Sequence, residues 1–265
     1  MRLLMCWAVV ATLSAHPAAA DLAAARSHVL AGNLAAAAAE FERLAEQGDA
    51  EAQASLAEMY FTGRGVDRDQ EAAMRWFGRA AEGGHVGAQV TLGMLSIQAR
   101  DFEQSAKWFL RAAEAGDAEA MTNLAALYFR GLGVERDAAR GLDWFARAAA
   151  EGDPANQLRL GQLYLDGAGG APEIGPGLRW IRRAANQGYV EAQIRLGSIH
   201  AEGGVVEKDL VRAYMWFHLA SMMGNEQAGK VLTGLAREMT AAEIAAAKRL
   251  ADAWQPGSTA PAPTP

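Results

Sequence analysis

The chain has very little cysteine, little proline before its C-terminal tail, and no apolar run long enough to cross a membrane. Cys6 is the only cysteine among 265 residues, which excludes disulfides within the chain and sites built from several thiolates. The longest apolar run, Leu3–Leu13, has about half of the roughly twenty residues that a membrane-spanning helix requires. Strand-like runs of Val, Ile and Thr are also missing and alanine is abundant, so we predict an all-α protein.

Residues 1–20 have the composition of a secretory signal peptide. Arg2 supplies a short positive region, Leu3–Leu13 an apolar core, and Ala18-x-Ala20 a small-residue cleavage motif. We expect cleavage after Ala20, a mature chain that begins at Asp21 without any thiol, and a periplasmic or secreted location. A membrane anchor is the alternative, which the short apolar run disfavours.

The charge balance argues against polyanionic partners. Lysine and arginine total 25, aspartate and glutamate total 31, and the formal net charge is -6. Proteins that bind nucleic acid or anionic lipid present basic patches. We therefore expect no nucleic-acid partner, and we expect no membrane span in the mature chain.

An internal repeat occupies most of the sequence. Tryptophans recur at a nearly constant interval, and each is followed by a glycine that ends a helical stretch: Trp76 with Gly84, Trp108 with Gly116, Trp144 with Gly152, Trp180 with Gly188, and Trp216 with Gly224. These marks divide the sequence into five units, at residues 49–84, 85–116, 117–152, 153–188 and 189–224. A stable stack of repeats needs roughly three units, so five are sufficient.

The segment "YFTGRGVDRD", residues 60–69, contains a Gly-x-Gly that invites interpretation as a nucleotide site. It recurs as "FRGLGVERD" from residue 129, and in weaker form from residues 165 and 201, whereas a catalytic loop is not normally repeated. A dinucleotide fingerprint also needs a preceding strand, and a P-loop needs Gly-Lys-Ser/Thr. We interpret the segment as the turn between two antiparallel helices, with Asp69, Asp137 and Asp209 as N-caps of the second helix.

Apolar residues predict that each unit is a helix pair buried on both sides. The first helix carries a stripe with helical spacing: Ala52, Leu56, Met59 and Tyr60 in the first unit, and Ala192, Leu196, Ile199 and His200 in the fifth. The second helix carries adjacent aromatics such as Trp-Phe, which are both buried only where neighbouring helices cover two sides. We therefore place the aromatic residues in the core and not in a cofactor cage.

The repeated pattern resembles the SEL-one-like repeat, a relative of the tetratricopeptide repeat. The pattern is Ala-Gln-x-x-Leu-Gly-x-x-Tyr, then Gly-x-Gly-Val-x-x-Asp, then Trp and Ala-Ala-x-x-Gly, and "EAQASLAEMYFTGRGVDRDQEAAMRWFGRAAEGG" matches it almost throughout. The resemblance covers residues 49–224 and implies a right-handed α-solenoid of stacked antiparallel helix pairs. It also implies an exported bacterial scaffold or adaptor that binds a protein or peptide partner on its concave groove, in envelope signalling or assembly.

Three units depart from this pattern. The second is short and has "IQARD" in place of the glycine loop, so we expect a tighter turn. In the fourth, Pro172 and Pro176 are expected to rearrange the turn and to delay the second helix. In the fifth, His200 takes the place of the tyrosine.

Helical segments are also predicted outside the five units. Residues 21–48 form a shorter helical pair that serves as the first layer. Residues 225–254 form C-terminal capping helices, one at residues 225–238 and one opened by the capping box Thr240-x-x-Glu243 and ending near Trp254. Residues 255–265 form a disordered tail.

No residue pattern points to catalysis, a cofactor or a metal. His28, His85, His200 and His218 lack paired metal-ligand spacing, and we interpret them as structural. Neither Gly-x-Ser-x-Gly nor Ser-x-x-Lys occurs, so we predict that the chain is not an enzyme and needs no cofactor. The alternative is a protein that binds or hydrolyses cell-wall fragments or β-lactams, with the fourth turn and His200 shaping a pocket.

The predicted partner-binding residues lie on the first helices and point away from the apolar stripe. They are Glu51, Ser55, Glu58, Thr91, Met94, Asn123, Arg130, Arg159, Gln162, Arg195 and Ser198. Acidic groups come early in this row and arginines late. We expect the row to bind a protein or peptide of mixed charge through electrostatic complementarity.

Overall fold

A computed structural model of the chain describes residues 17–257, with side chains from residue 21. This range contains fourteen α-helices and no strand: α1 (Pro17–Leu30), α2 (Leu34–Glu46), α3 (Ala50–Thr62), α4 (Gln70–Glu82), α5 (Val86–Gln98), α6 (Phe102–Glu114), α7 (Ala118–Arg130), α8 (Ala138–Ala150), α9 (Pro154–Leu165), α10 (Ile174–Asn186), α11 (Val190–Glu202), α12 (Leu210–Met222), α13 (Glu226–Leu235) and α14 (Ala241–Asp252). We call α3, α5, α7, α9 and α11 the first helices, and α4, α6, α8, α10 and α12 the second helices. The predicted all-α class is confirmed.

The chain divides into two compact units, unit 1 (Met1–Arg100) and unit 2 (Asp101–Pro265). In unit 1, each helix from α1 to α4 packs against the next one along the chain. The core of α2 and α3 is built from Phe41, Leu44, Leu56 and several alanines, all nearly inaccessible to solvent. The stripe predicted for the first repeat is confirmed, except that Tyr60 is only half-buried.

In unit 2, successive helices from α6 to α12 pack in the same way, and α12 then contacts both α13 and α14. The largest cluster of buried side chains joins α9–α14 and includes Ile181, Leu196, Trp216 and Phe217. The stripe predicted for the fifth repeat is buried throughout. Both units are thus stacks of helix pairs, the solenoid architecture that the sequence predicts.

The tryptophans of the first four repeats are less buried than expected. Each is half-buried, and the guanidinium of the arginine one helical turn later lies over its ring. The distances from the guanidinium carbon to the ring centroid are 4.7, 5.0, 4.1 and 5.4 Å for Arg79 over Trp76, Arg111 over Trp108, Arg147 over Trp144, and Arg183 over Trp180. A cation–π contact therefore covers the ring face that the core does not reach.

Aspartate side chains cap the helices as predicted. Asp69, Asp137 and Asp209 each accept a hydrogen bond of 2.9 Å from a backbone N–H in the first turn of α4, α8 and α12. The capping box of Thr240 and Glu243 is also confirmed. Four of the five first helices have equivalent caps that we did not predict: Asp49, Asp117 and Asp153, and in α5 the Nδ1 atom of His85, which accepts from the backbone N–H of Ala88 at 3.0 Å.

The Gly-x-Gly segments are turns, as interpreted from the sequence. Gly63 ends α3 in the left-handed conformation, with φ of 74°. Gly65, two residues later, lies against the backbone of Leu34 at the start of α2. The glycines that close the five repeats are left-handed as well, at Gly84, Gly116, Gly152, Gly188 and Gly224.

Two of the irregular turns can be compared with prediction. The turn between α5 and α6 is tighter, as expected, and Arg100 is its left-handed residue, with φ of 60°. In the fourth repeat the turn is rearranged as predicted, since α9 ends at the right-handed Asp166 where α3 and α7 end at a left-handed glycine. The predicted delay of the second helix is wrong, because α10 begins at Ile174, at the same distance before its tryptophan as the other second helices. Pro176 falls in the first turn of α10, where a backbone N–H has no partner within the helix, so it does not delay the helix.

In four repeats, a buried glutamine of the first helix forms a hydrogen bond to the helix that precedes it in the chain. That preceding helix is α2 for α3, and it is a second helix for α5, α9 and α11. The side-chain Nε2 of the glutamine donates to a carbonyl oxygen near the end of that helix: Gln53 to Ala45 at 3.0 Å, Gln89 to Ala81 at 3.0 Å, Gln157 to Ala149 at 3.2 Å, and Gln193 to Ala185 at 3.4 Å. We call these contacts the glutamine ties. The third repeat has Met121 at this position.

The predicted terminal segments lie partly beyond the described residues. Of the signal peptide, residues 1–16 are outside them, and α1 begins at Pro17, ahead of the predicted cleavage site. Residues 258–265 of the predicted tail are outside as well, whereas the backbone N–H of Gly257 donates to the carbonyl of Asn186 at 2.6 Å. The two capping helices end slightly earlier than predicted, at Leu235 and Asp252. None of the helices within residues 17–257 has both the length and the apolar character that crossing a membrane demands.

Candidate partner-binding surface

The predicted binding residues fall into two groups, one in each unit. Unit 1 holds five of them, Glu51, Ser55 and Glu58 on α3 and Thr91 and Met94 on α5. Unit 2 holds the other six, Asn123 and Arg130 on α7, Arg159 and Gln162 on α9, and Arg195 and Ser198 on α11. Each group is on first helices of its own unit.

Four of the unit 1 residues line one cleft between α3 and α5. Glu51, Ser55, Glu58 and Thr91 line a volume of about 230 Å³, and Phe77 of α4 is also among its lining residues. Met94 is exposed but is not part of this lining. We call this the α3–α5 cleft. It places two carboxylates and two hydroxyls around a single opening.

Glu51 is not an open carboxylate, because the side chains of Arg26 and His85 both contact it. Arg26 donates to Oε1 at 2.8 Å, and Nε2 of His85 lies 3.2 Å from Oε2. Partial burial alone would raise the pKa of Glu51, but the hydrogen bonds from Arg26 and His85 and the positive charge of Arg26 outweigh it, so that the pKa is lowered. Glu51 therefore stays ionised, and the carboxylate of Glu58 is the acidic group of the cleft that is left without an ion pair among the described residues.

An apolar cavity lies on the other side of Ser55 and Glu58. It has a volume of about 370 Å³ and opens to solvent between α1, α2 and α3, with Val29, Leu34, Phe41 and Met59 among its lining residues. Leu30 at its edge is 89% exposed. We call this the α1–α3 cavity. The sequence did not predict it, because α1 and α2 do not carry the repeat pattern.

In unit 2 the predicted residues differ in how accessible they are. Arg130 and Arg159 are exposed, and neither forms an ion pair within the described part of the chain. Arg195 is half-buried, and its Nε has no hydrogen-bond partner there. Asn123, Gln162 and Ser198 are half-buried as well. The exposed charge of this group is therefore basic.

His200 is buried and not part of an open pocket. Only 7% of the residue is exposed, and its Nδ1 finds no hydrogen-bond partner among the described residues. Burial lowers the pKa of His200; the charge of Asp209 opposes this shift, and those of Arg212 and Arg182 add to it. The expectation of a structural histidine agrees with this burial, although one ring nitrogen is left without a partner. The alternative in which His200 shapes a ligand pocket gains no support.

Unit 2 contains a cleft that the sequence did not predict. Arg179, Arg182 and Arg183 of α10 line a volume of about 540 Å³ together with Asn186, Gln187, Gly152 and Gly257. We call this the α10 cleft. The segment "RWIRRAAN" contains the signal for it, because no other second helix has three basic residues in these positions. The repeat pattern does not predict that Gly257, near the C-terminus, also lines this cleft.

The arrangement of these surfaces suits the binding of a partner. In residues 21–257, no three His, Cys, Asp or Glu side chains lie together as a metal site would require. What the described surfaces offer are clefts with charged and hydroxyl groups and one adjacent apolar cavity. Such combinations orient and hold a peptide segment.

Comparison with known proteins identifies the repeats. A profile described as the Sel1 repeat matches residues 50–85, 95–117, 118–153, 157–189 and 190–225, which make up more than half of the chain. Comparison with the curated proteins gave no match.

Two solved structures resemble the chain over most of its length. A Sel1 repeat protein from Oxalobacter formigenes is 29% identical, with a TM-score of 0.62, over 78% of this chain and 88% of its own. The crystal structure of c5321, a protective antigen present in uropathogenic Escherichia coli strains and displaying an SLR fold, is 30% identical over 84% of this chain, with a TM-score of 0.56. The match spans only 56% of the length of that protein. The chain belongs to the Sel1 repeat family.

Proposed function

We propose that the chain is an exported adaptor that binds a protein or peptide partner on the surface of its first helices. Sel1 repeat chains are scaffolds, generally for protein–protein interaction. The observation that carries the proposal is the pair of openings beside α3. Ser55 and Glu58 lie between the polar α3–α5 cleft and the apolar α1–α3 cavity.

This pair of openings matches what a peptide segment presents. An apolar side chain of the partner enters the α1–α3 cavity as an anchor, because interface energy concentrates where such side chains are fully desolvated. The neighbouring backbone and basic side chains of the partner face Ser55, Thr91 and the carboxylate of Glu58, which has no ion pair within the described part of the chain. In unit 2, Arg130 and Arg159 offer to acidic parts of a partner exposed guanidinium groups that form no ion pair with another described residue.

Crosslinked affinity capture from the envelope fraction, read by mass spectrometry, tests the proposal. The bait proteins are the unmodified chain, Glu58→Arg, and the double variant Arg130→Glu with Arg159→Glu. Two control baits carry the same charge changes away from the first helices: Glu82→Arg on α4, and Arg237→Glu with Arg249→Glu near the C-terminus, all of which are exposed. Circular dichroism establishes that every bait is folded.

We expect one protein to be lost from at least one first-helix variant and to be kept by both controls. The proposal is wrong if every captured protein binds all of the baits equally. It is also wrong if the controls lose the same proteins as the first-helix variants, because the first helices would then not be the binding surface.

Export is tested separately by the mass of the intact protein. Cleavage after Ala20 leaves Asp21 as the first residue, and the carboxylate of Asp21 accepts from Arg43 at 2.7 Å, which ties the expected new N-terminus to α2. We expect the protein isolated from the envelope fraction to have the mass of residues 21–265. Recovery of the full-length mass from the cytoplasm alone would overturn export.

A further inference from the structure

The arginines of the α10 cleft form a stripe on one face of a helix. Arg179, Arg182, Arg183 and Asn186 follow the i, i+3, i+4, i+7 spacing, which places their side chains above one another. Ile181, Ala184 and Ala185 on the opposite face are completely buried. The backbone of the stripe is therefore fixed by the core, and the cationic groups lie at the surface.

Within residues 21–257, no acidic group balances these charges. Among the described residues, no carboxylate forms an ion pair with any of the three arginines, and the lining of the cleft contains no acidic residue. Arg183 is held over the ring of Trp180, with its guanidinium carbon 5.4 Å from the centroid. Like charges one turn apart on a helix repel each other, so an anion in the cleft would relieve an existing repulsion.

The combination occurs in the fourth repeat alone. At the position of Arg182 the other repeats have Gly78, Leu110, Ala146 and His218, and at the position of Arg179 they have Arg75, Lys107, Asp143 and Met215. The stripe is thus not required to build a Sel1 repeat helix pair. It is a property of this place in the chain.

Hydrogen bonds hold residues on two sides of the cleft in place. Gln187 donates from Nε2 to the carbonyl of Gly152 at 3.1 Å and to Oε1 of Gln157 at 2.8 Å. At the other side, the hydrogen bond from Gly257 to the carbonyl of Asn186 holds the C-terminal segment against α10. The side-chain amide of Asn186 has no partner among the described residues and is available to a ligand.

We propose that the α10 cleft binds an acidic segment of a protein partner. The guanidinium group matches a carboxylate with two parallel hydrogen bonds, and the amide of Asn186 suits a peptide carbonyl. A volume of about 540 Å³ accommodates a few residues of such a segment. The net charge of -6 and the single short stripe disfavour a long polyanion such as nucleic acid, which needs an extended basic surface.

This inference rests on the proposed function only in that the ligand belongs to a protein partner. The α10 cleft lies on a second helix, whereas the proposed binding surface is on the first helices. A partner can therefore use either surface without the other, and separate variants distinguish them.

The test measures the binding of a fluorescein-labelled Glu-Gly repeat peptide to the full chain by fluorescence anisotropy. The cleft variant is Arg179→Gln with Arg182→Gln. The control variant is Arg237→Gln with Arg249→Gln, which removes the same charge from exposed positions elsewhere in unit 2. A Gln-Gly repeat peptide serves as the uncharged probe. Circular dichroism establishes that both variants are folded.

We expect the cleft variant to weaken binding of the acidic peptide at least about tenfold, since hydrogen bonds between charged groups are worth more than one factor of ten in affinity. The control variant should retain the affinity, and the Gln-Gly peptide should not bind. Equal affinity in the cleft variant and the unmodified chain would overturn the inference.

Three other outcomes also contradict it. If Arg130→Glu with Arg159→Glu abolishes binding and the cleft variant does not, the peptide binds the first helices, and the proposed function stands without this site. If a single-stranded oligodeoxynucleotide of equal charge binds more tightly than the peptide, the cleft is a phosphate-binding surface. If inorganic phosphate at equal ionic strength displaces the peptide, the cleft is a site for isolated anions.

Discussion

Gly65 is more constrained than a turn glycine needs to be, because the carbonyl group of Leu34 lies against it. Its φ is +82°, and a Cβ added there would stand 2.5 Å from that carbonyl oxygen. Gly204 has nearly the same φ, +83°, with nothing within 4 Å of an added Cβ. The two glycines therefore separate the cost of the backbone conformation from the cost of close contact.

We predict that Gly204→Ala lowers the free energy of unfolding by about 1–2 kcal/mol, the cost of a left-handed non-glycine residue. Gly65→Ala should lower it by a further 1–3 kcal/mol or so, because the helices must also move apart. Urea unfolding of both variants measures the difference. Equal losses would mean that the turn yields without strain.

His200 links stability to pH through its burial. Because the pKa is lowered in the folded state, the folded protein takes up a proton less readily than the unfolded chain. The contribution of the neutral His200 ring to the free energy of unfolding is complete above the ordinary histidine pKa of about 6.5. It is lost as the pH falls from there toward the lowered pKa.

We predict that His200→Gln removes this part of the acid sensitivity. The decrease in unfolding free energy between about pH 7.5 and about pH 5.5 should be smaller in the variant than in the unmodified chain. Urea unfolding at both pH values gives the comparison, and the other titrating groups are common to the two proteins. An unchanged decrease would show that the buried ring does not titrate in this range.

At the scale of the helices, the glutamine ties fix four of the five first helices to the layer before them. Gln157 donates to Ala149 at 3.2 Å in α8 and also accepts from Gln187 at 2.8 Å. Met121 cannot make the equivalent bond to Ala113, the residue of α6 that corresponds to Ala149. The layer between α6 and α7 therefore has no such tie.

Exchanging these residues should change stability in opposite directions. We predict that Gln157→Met lowers the free energy of unfolding by about 1 kcal/mol, the net value of a buried hydrogen bond. Met121→Gln should raise it by a similar or smaller amount, provided that the amide reaches the carbonyl of Ala113. Thermal and urea unfolding test both variants, and a loss of stability in Met121→Gln would show that this layer is packed around the methionine.

The helix pairs were predictable because each one is marked by local signals. The tryptophan, the closing glycine and the capping aspartate recur in phase, and single positions such as Asp69 and Thr240 behave as predicted. The delay assigned to α10 was wrong because a proline in the first turn costs a helix little. The α1–α3 cavity and the α10 cleft depend on segments outside the repeat, and no periodicity describes where those segments pack.

For the whole molecule, the contacts inside each unit run almost entirely between neighbours in sequence. From α6 to α12, each helix packs against the next, and the main additions are the contacts of α12 with both α13 and α14. Stability in such an array is close to the sum of the individual helix pairs and the interfaces between adjacent ones. An array of this kind tolerates removal of a complete repeat better than removal of one helix.

We therefore predict that deletion of residues 117–152 leaves a folded protein. Asp153 then takes the place of Asp117 as an N-cap, and α9 follows α6 as the next first helix, so that Gln157 comes within reach of the carbonyl of Ala113. The variant should keep its helicity per residue and unfold cooperatively, with a smaller urea m-value because less surface is buried. Deletion of residues 117–134 is the matched control, since it removes α7 alone and leaves α8 without its partner helix. If both deletions unfold the chain equally, the repeats are not exchangeable layers, and stability depends on contacts that extend beyond adjacent helix pairs.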